Sequence, residues 1–270
     1  MTHHHPELTE LKERLRDTWT AGDYGRIARG LQQSAEDFLG GVPVGKGDAL
    51  LDIACGTGQV AIPAARAGAR VTGLDLAEQW IAQARERAAA EGLDVQFDVG
   101  DAEALPYGDD EFDIVISLIG VMFAPRPDVA TAEMLRVCRP GGRIVLGNWT
   151  PEGFVGRFFK TVGTHVPPPD MASPLLWGDE DTVRERLGPH VRDLRIIRRH
   201  IHFDYPMPPA AVVSHYVEHF GPVRNAHRTL DADGRKALES DLEALWSEHN
   251  QADDGSTQVD GEILEIVALR

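Results

Sequence analysis

Asp52 stands at the end of an apolar run, Leu50-Leu51-Asp52-Ile53-Ala54-Cys55-Gly56-Thr57-Gly58, which closes in a glycine-x-glycine turn. Glycines in such a turn adopt backbone angles closed to other residues and let a ligand lie against the main chain. An acid beside them suits a nucleoside ligand that carries positive charge. Asp75 follows about twenty residues later, at the spacing from which an acid accepts hydrogen bonds from a ribose diol. Gly100-Asp101-Ala102-Glu103 then offers a short polar side chain able to read an adenine amine, and Ser117 ends a further apolar run, Phe112 to Ser117.

These residues need a scaffold that brings their segments to one edge, and the hydrophobic pattern supplies one. Residues 49–54, 70–74, 95–99, 112–118 and 143–149 read as strands, with helices predicted at 59–67, 77–91 and 129–138 between them. Near-continuous apolar strands alternating with helices argue for a parallel sheet covered on both faces. Ligands of such sheets bind beyond the carboxyl ends of the strands, which is where Asp52, Asp75, Asp101 and Ser117 fall. Before the first strand, residues 7–40 carry two apolar helical faces. After the fifth, 150–178 reads as a long Gly- and Pro-rich loop with a short helix at 154–162. A helix at 180–187, a strand at 191–203, helices at 208–220 and 231–249, and a final strand at 261–269 complete the chain. The division expected is a helical segment at 1–40, a core at 41–206 and 257–270, and a helical insertion or cap at 207–256.

Two cofactors compete for the first turn. Gly56-Thr57-Gly58-Gln59-Val60-Ala61 also satisfies the dinucleotide pattern, and Asp75 would suit the ribose of NAD, which would make the chain an oxidoreductase. NAD, however, sets an anionic pyrophosphate on this turn, where Asp52 would repel it. S-adenosylmethionine brings an ammonium and a sulfonium, which an acid favours.

The motifs Asp52-Ile53-Ala54-Cys55-Gly56-Thr57-Gly58, Gly73-Leu74-Asp75, Gly100-Asp101-Ala102-Glu103-Ala104-Leu105-Pro106-Tyr107, Phe112-Asp113-Ile114-Val115-Ile116-Ser117 and Arg139-Pro140-Gly141-Gly142 resemble those of the class I S-adenosylmethionine-dependent methyltransferases. The nearest group is similar to the ubiquinone/menaquinone-biosynthesis methyltransferases, over about residues 15–150. The resemblance implies an α/β, Rossmann-like, seven-stranded sheet of order 3-2-1-4-5-7-6 with the last strand antiparallel, a helical N-terminal segment, and a helical insertion between strands 6 and 7. It also implies site roles. Asp52, Ala54, Gly56 and Gly58 would contact the methionine part, with Ser117 near that end. Asp75 would hold the ribose, Leu76 would pack on the adenine, and Asp101 and Ala102 would face it. Trp19 and Tyr24 resemble aromatics that close over the cofactor, and Trp80 would border the adenine.

Methyl transfer from a sulfonium is an in-line displacement, so the protein supplies alignment and a dry site. An oxygen or carbon nucleophile also calls for a base. His165, His215 and His219 are the candidates, with His227 beside them in the insertion. Met122, Phe123, Phe154, Phe158, Phe159, Trp177, Tyr216 and Phe220 would form an apolar acceptor pocket. The acceptor expected is a small hydrophobic or aromatic molecule, methylated at O or C rather than N. A non-catalytic, regulatory member of the fold is the further alternative.

Composition bounds these readings. The chain has 270 residues, 42% of them hydrophobic, enough for one large α/β domain with an insertion or for two small domains. A net charge of -16 disfavours sequence-independent nucleic-acid binding, which needs Lys and Arg on phosphates. Two cysteines, Cys55 and Cys138, are too few for a disulfide framework and fit a reducing cytoplasm. No apolar stretch has membrane-spanning length, and no signal-peptide pattern is read. No metal is expected: His215 and His219 lack a third ligand. His3, His4 and His5 read as a leader or a short metal-adhering tract.

Overall fold

The computed structural model describes residues 6–270, so His3, His4 and His5 lie outside the described residues. Helices α1 (Pro6–Thr20), α2 (Tyr24–Arg29) and α3 (Gln32–Gly40) lead into a regular alternation. This runs β1 (Ala49–Ile53), α4 (Ala61–Arg66), β2 (Arg70–Asp75), α5 (Glu78–Ala90), β3 (Val95–Val99), β4 (Phe112–Leu118), α6 (Pro127–Val137) and β5 (Cys138–Trp149). There follow α7 (Phe154–His165), α8 (Glu180–Leu187), β6 (Asp193–Tyr205), α9 (Pro209–His219), α10 (Gly221–Thr229), α11 (Ala232–His249) and β7 (Thr257–Leu269). The seven strands form one sheet in the order β3-β2-β1-β4-β5-β7-β6. β7 runs antiparallel to both of its neighbours, and the remaining pairs are parallel.

The central strands are buried on both faces: Leu50, Leu51, Ile53, Ile114, Val115, Ile116, Ile144, Val145 and Leu146 are all inaccessible. That is why they read as unbroken apolar runs. β6, at the sheet edge, alternates instead, with Ile201, Phe203 and Tyr205 buried and His200, His202 and Asp204 exposed. Pro63 is the third residue of α4, where its missing N–H has no intrahelical partner to lose. Asp179 and Asp231 cap α8 and α11 by accepting from Thr182 N and Gly234 N.

Several elements differ from the pattern-based expectation: three helices stand where two helical faces are read in 7–40, and β7 starts at Thr257 rather than 261. Helix α10 lies where no helix is predicted, because only Val223 and Ala226 of its side chains larger than glycine are buried and the apolar stripe is too thin to register. β5 begins at Cys138, taking in Pro140-Gly141-Gly142 through an irregularity opposite β4.

The cap and the N-terminal helices share one face of the sheet. Phe38 of α3 reaches Gly147 of β5, and Gly147 stands opposite Glu265, which stands opposite Ile197. Ile197, Ile201 and Phe203 alternate onto that same face, and there Phe203 meets Trp246 of α11 at 5.9 Å between ring centroids. Trp246 is the hub of the cap, with Phe154 at 4.5 Å, Tyr216 at 5.4 Å and Tyr205 at 5.9 Å.

Candidate functional site

The strand tips of β1, β2 and β4 are joined to each other by hydrogen bonds, and the cavity opens above them. Asp52, near the end of β1, is only 2% exposed. Its Oδ2 accepts from the backbone N of Ala61 at 3.0 Å, so the carboxylate caps the first residue of α4. Beyond it the chain turns through Ala54 (φ 54°), Gly56 (φ 54°) and Gly58 (φ 83°). Left-handed backbone at the two glycines has no Cβ to strain, whereas Ala54 carries the cost of it. Asp75, the last residue of β2, accepts from Gly56 N and Ala77 N, both at 2.9 Å. The acid therefore clasps the glycine turn from below. Arg87 of α5 holds the turn from the side, donating to Thr57 O at 2.5 Å and to Gln32 of α3 at 3.0 Å.

At the tip of β4, Ile119 is left-handed (φ 63°). A β-branched residue there is an outlier, and such strain gathers at ligand sites. Its N–H donates to Gly147 O at 2.7 Å, and Gly120 lies so close to Ala54 that a β-carbon would collide with it. The β1 and β4 tips thus nest against each other.

The cavity runs along these tips. Its polar part is walled by Lys12, Gln59, Asp52, Asp75 and Asp101 with Gly56 and Gly100. Its aromatic part has Trp19, Tyr24, Trp80 and Phe123, and its apolar part has Ala28, Leu31, Ala35, Leu118 and Ile201. Trp19 meets Phe123 at 4.6 Å and Tyr24 at 5.9 Å, edge to face, and Tyr24 meets Trp80 at 6.3 Å.

Of the residues singled out in the sequence, Trp19, Tyr24, Asp52, Ala54, Gly56, Asp75, Leu76, Trp80, Asp101 and Ala102 converge on this cavity. Gly58 and Ser117 do not. Gly58 lies under the turn, against Ile62 and Phe97. Ser117 is fully buried, donating to Ile53 O at 2.7 Å and accepting from Val121 N at 3.0 Å, so it ties β4 to β1 and leaves no group for a ligand.

The three candidate bases are also elsewhere. His165 ends α7 and pairs with Asp241 of α11 at 2.8 Å. His215 and His219 face each other on α9 with rings 4.7 Å apart, behind the aromatic wall. None of the three lines the cavity, because the cap backs the aromatics without entering the space. Of the expected acceptor aromatics, Phe123 alone lines it; Met122, Phe154, Phe158, Trp177, Tyr216 and Phe220 are core, and Phe159 packs on that core. No group of three metal-ligating side chains occurs among the described residues. The sequence-based list lacks Lys12, Leu31, Ala35, Ile119 and Ile201. Only Lys12 had a signal: it shares the helical stripe of Leu15 and Trp19.

The electrostatics fit a cation. Burial pushes the Asp52 carboxyl up to about 8, and burial likewise raises Asp75. No Lys or Arg pairs with either acid among the described residues. Tyr24, beside Asp75, is pushed up to about 12, mainly by burial, and burial raises the Cys55 thiol, so neither ionises readily. A buried acid and a half-buried one, both without a counter-ion, suit a ligand carrying ammonium and sulfonium and oppose a pyrophosphate. The residues present therefore fit S-adenosylmethionine: Asp52, Ala54 and Gly56 would hold its methionine end, and Asp75 and Asp101 its nucleoside.

Comparison with known proteins agrees. Residues 51–146 match the methyltransferase domain family. The chain is 41% identical over 218 residues to an uncharacterized protein of Mycobacterium tuberculosis, covering 80% of each. It is 38% identical over 128 residues to a demethylmenaquinone methyltransferase of Renibacterium salmoninarum, covering 47% of this chain and 50% of that one. Its fold matches the crystal structure of the YcgJ protein of Bacillus subtilis with a TM-score of 0.61 and 17% identity, over 88% of this chain and 98% of that one. With the sheet order, the buried acids and the matched domain in agreement, the chain belongs to the class I S-adenosylmethionine-dependent methyltransferases, with S-adenosylmethionine as its cofactor.

Proposed function

We propose that the enzyme methylates a small hydrophobic or aromatic molecule at oxygen or carbon. The observation that carries this is the composition of the cavity away from its acids. Ala28, Leu31, Ala35, Leu118 and Ile201 present no donor, acceptor or charge. The cavity reaches β6, four strands beyond β1 in the sheet order, or roughly 19 Å at the usual strand spacing. That arm is where an apolar body gains by leaving water. A protonated amine entering it would find no counter-ion there, which favours O- or C-methylation over N-methylation. The demethylmenaquinone methyltransferase, which matches this chain over about half the length of each, is named for demethylmenaquinone as its acceptor.

With His165, His215 and His219 off the cavity wall, catalysis in this reading rests on alignment and exclusion of water. The acceptor is a small molecule rather than a nucleic acid, in keeping with the net charge of -16. No helix among the described residues is long and apolar enough to cross a membrane. The buried free thiols Cys55 and Cys138 suit a reducing compartment, so the enzyme is read as cytoplasmic.

The test is turnover of S-adenosylmethionine with 2-naphthol, a naphthoquinol and histamine as acceptors, read as S-adenosylhomocysteine formed. Transfer to the first two and not to histamine is expected, and lost on Ala35→Phe, which fills the arm. Transfer to histamine alone would overturn the proposal. Tight cofactor binding with no turnover on any apolar acceptor would favour the regulatory alternative.

A further inference from the structure

Helix α1 turns one stripe toward the cavity: Lys12, Leu15, Arg16 and Trp19 all line it, at the spacing of one helical face. The two ends of this helix are held differently. Its C-terminal end is rooted in the cap. Thr18 Oγ1 accepts from Asn225 Nδ2 at 3.3 Å, and Trp19 packs on Phe220 at 5.8 Å. The backbones touch at two glycines, since a β-carbon at Gly221 would collide with the Thr18 carbonyl and one at Gly22 with that of His219. Its first half makes a polar contact with the core at Lys12 alone, among the described residues. There Nζ lies 2.5 Å from both Asp101 and Glu103. Lys12 and Glu103 have side chains 15% and 0% exposed, and Glu103 is fixed in turn by Arg126 N at 2.5 Å and Arg126 Nε at 2.7 Å. Asp101, with a side chain 31% exposed, is held among the described residues by Glu103 N and by Lys12.

Asp101 is thus claimed twice, by the lysine in this structure and by the adenine amine in the methyltransferase reading on which this inference rests. We propose that α1 is a lid rooted at Thr18–Gly22 and latched at Lys12. The lid opens when Lys12 leaves both acids; once inside, the adenine takes Asp101, and buried Glu103 recaptures the ammonium and shuts the lid. Release then requires the Lys12–Glu103 and adenine–Asp101 contacts both to break. Lys12 is a latch and not a catalytic residue, and it sets how fast the cofactor enters and leaves.

The experiment compares Lys12→Met and Lys12→Arg with the unaltered full-length chain. Amide hydrogen exchange over residues 6–20 is measured without ligand, and S-adenosylhomocysteine association and dissociation by stopped flow. Lys12→Met is expected to speed exchange in that segment, and both ligand rates, by about tenfold, with a smaller change in Kd; Lys12→Arg is expected to stay near the unaltered protein. Unchanged exchange over 6–20 and unchanged rates in Lys12→Met would overturn the latch. Exchange that rises equally across the whole chain would also overturn it, showing general destabilisation. Should the unaltered chain bind no S-adenosylhomocysteine, the methyltransferase reading fails, and the lid is decided by hydrogen exchange alone.

Discussion

The two halves of the sheet do opposite things with the same architecture. At β1 and β2 the tips bear acids, the buried Asp52 and the half-buried Asp75, bonded to backbone N–H groups of the next turn. Toward β6 and β7 the same face is apolar and aromatic, and its one buried acid, Glu265, is paired with Arg195 and Arg199. The first half keeps negative charge in reserve for a ligand, and the second has its charges neutralised and offers surface. Under the proposed function, a charged donor and an apolar acceptor would meet at the β1–β4 junction, where Ala54 and Ile119 hold strained backbone.

This contrast can be broken from either side. The largest effect belongs to the apolar half. Trp246→Ala removes the hub of the cap, and is expected to lower unfolding stability by about 3–5 kcal/mol in chemical denaturation. Because no cap residue lines the cavity, S-adenosylhomocysteine affinity of the folded fraction should change little. Loss of affinity in step with stability would mean that the two halves are not separable. Next comes Asp75→Ala, expected to weaken S-adenosylhomocysteine binding by about 1–3 kcal/mol in calorimetry, the scale of hydrogen bonds to a charged group. An unchanged Kd would remove Asp75 from the ribose. The smallest effect is that of His165→Gln. Its partner Asp241 is 58% exposed, so the pair contributes about 0.5 kcal/mol or less, and turnover should hold. A loss of kcat of tenfold or more with KM unchanged would return His165 to the catalytic step.

The same contrast explains what was legible in the sequence. The acid half is written locally: a strand, an acid and a glycine turn lie within nine residues, so Asp52 and Gly56 announce themselves, Asp75 falls at the ribose spacing after them, and the resemblance to the methyltransferases implies the sheet order. The apolar half is assembled from residues that are distant in sequence. Ala35, Leu118 and Ile201 meet only once α3 has packed on β5 and β6 has paired with β7. No spacing rule marks them. The histidines are the complementary case: their chemistry is visible in their type, but their position depends on how α7 and the cap dock. Ser117 misled more subtly. It sits at a strand tip as expected, yet its hydroxyl is used up between Ile53 O and Val121 N.

The central claim is that buried Asp52 awaits a cation, and its proton reports on it. Burial holds this carboxyl near 8. The folded protein therefore keeps a proton that the unfolded chain releases near the ordinary carboxylate range, and ligand-free stability falls as pH rises from about 4 toward 8. A bound ammonium or sulfonium favours the ionised form, so binding expels that proton. Calorimetric titration with S-adenosylmethionine in two buffers of different ionisation enthalpy, between about pH 6 and 7.5, measures it directly. The expected result is release of close to one proton per ligand, with affinity rising by up to about tenfold per pH unit and both effects absent in Asp52→Asn. Binding with no proton release and no pH dependence in the unaltered protein would contradict the account.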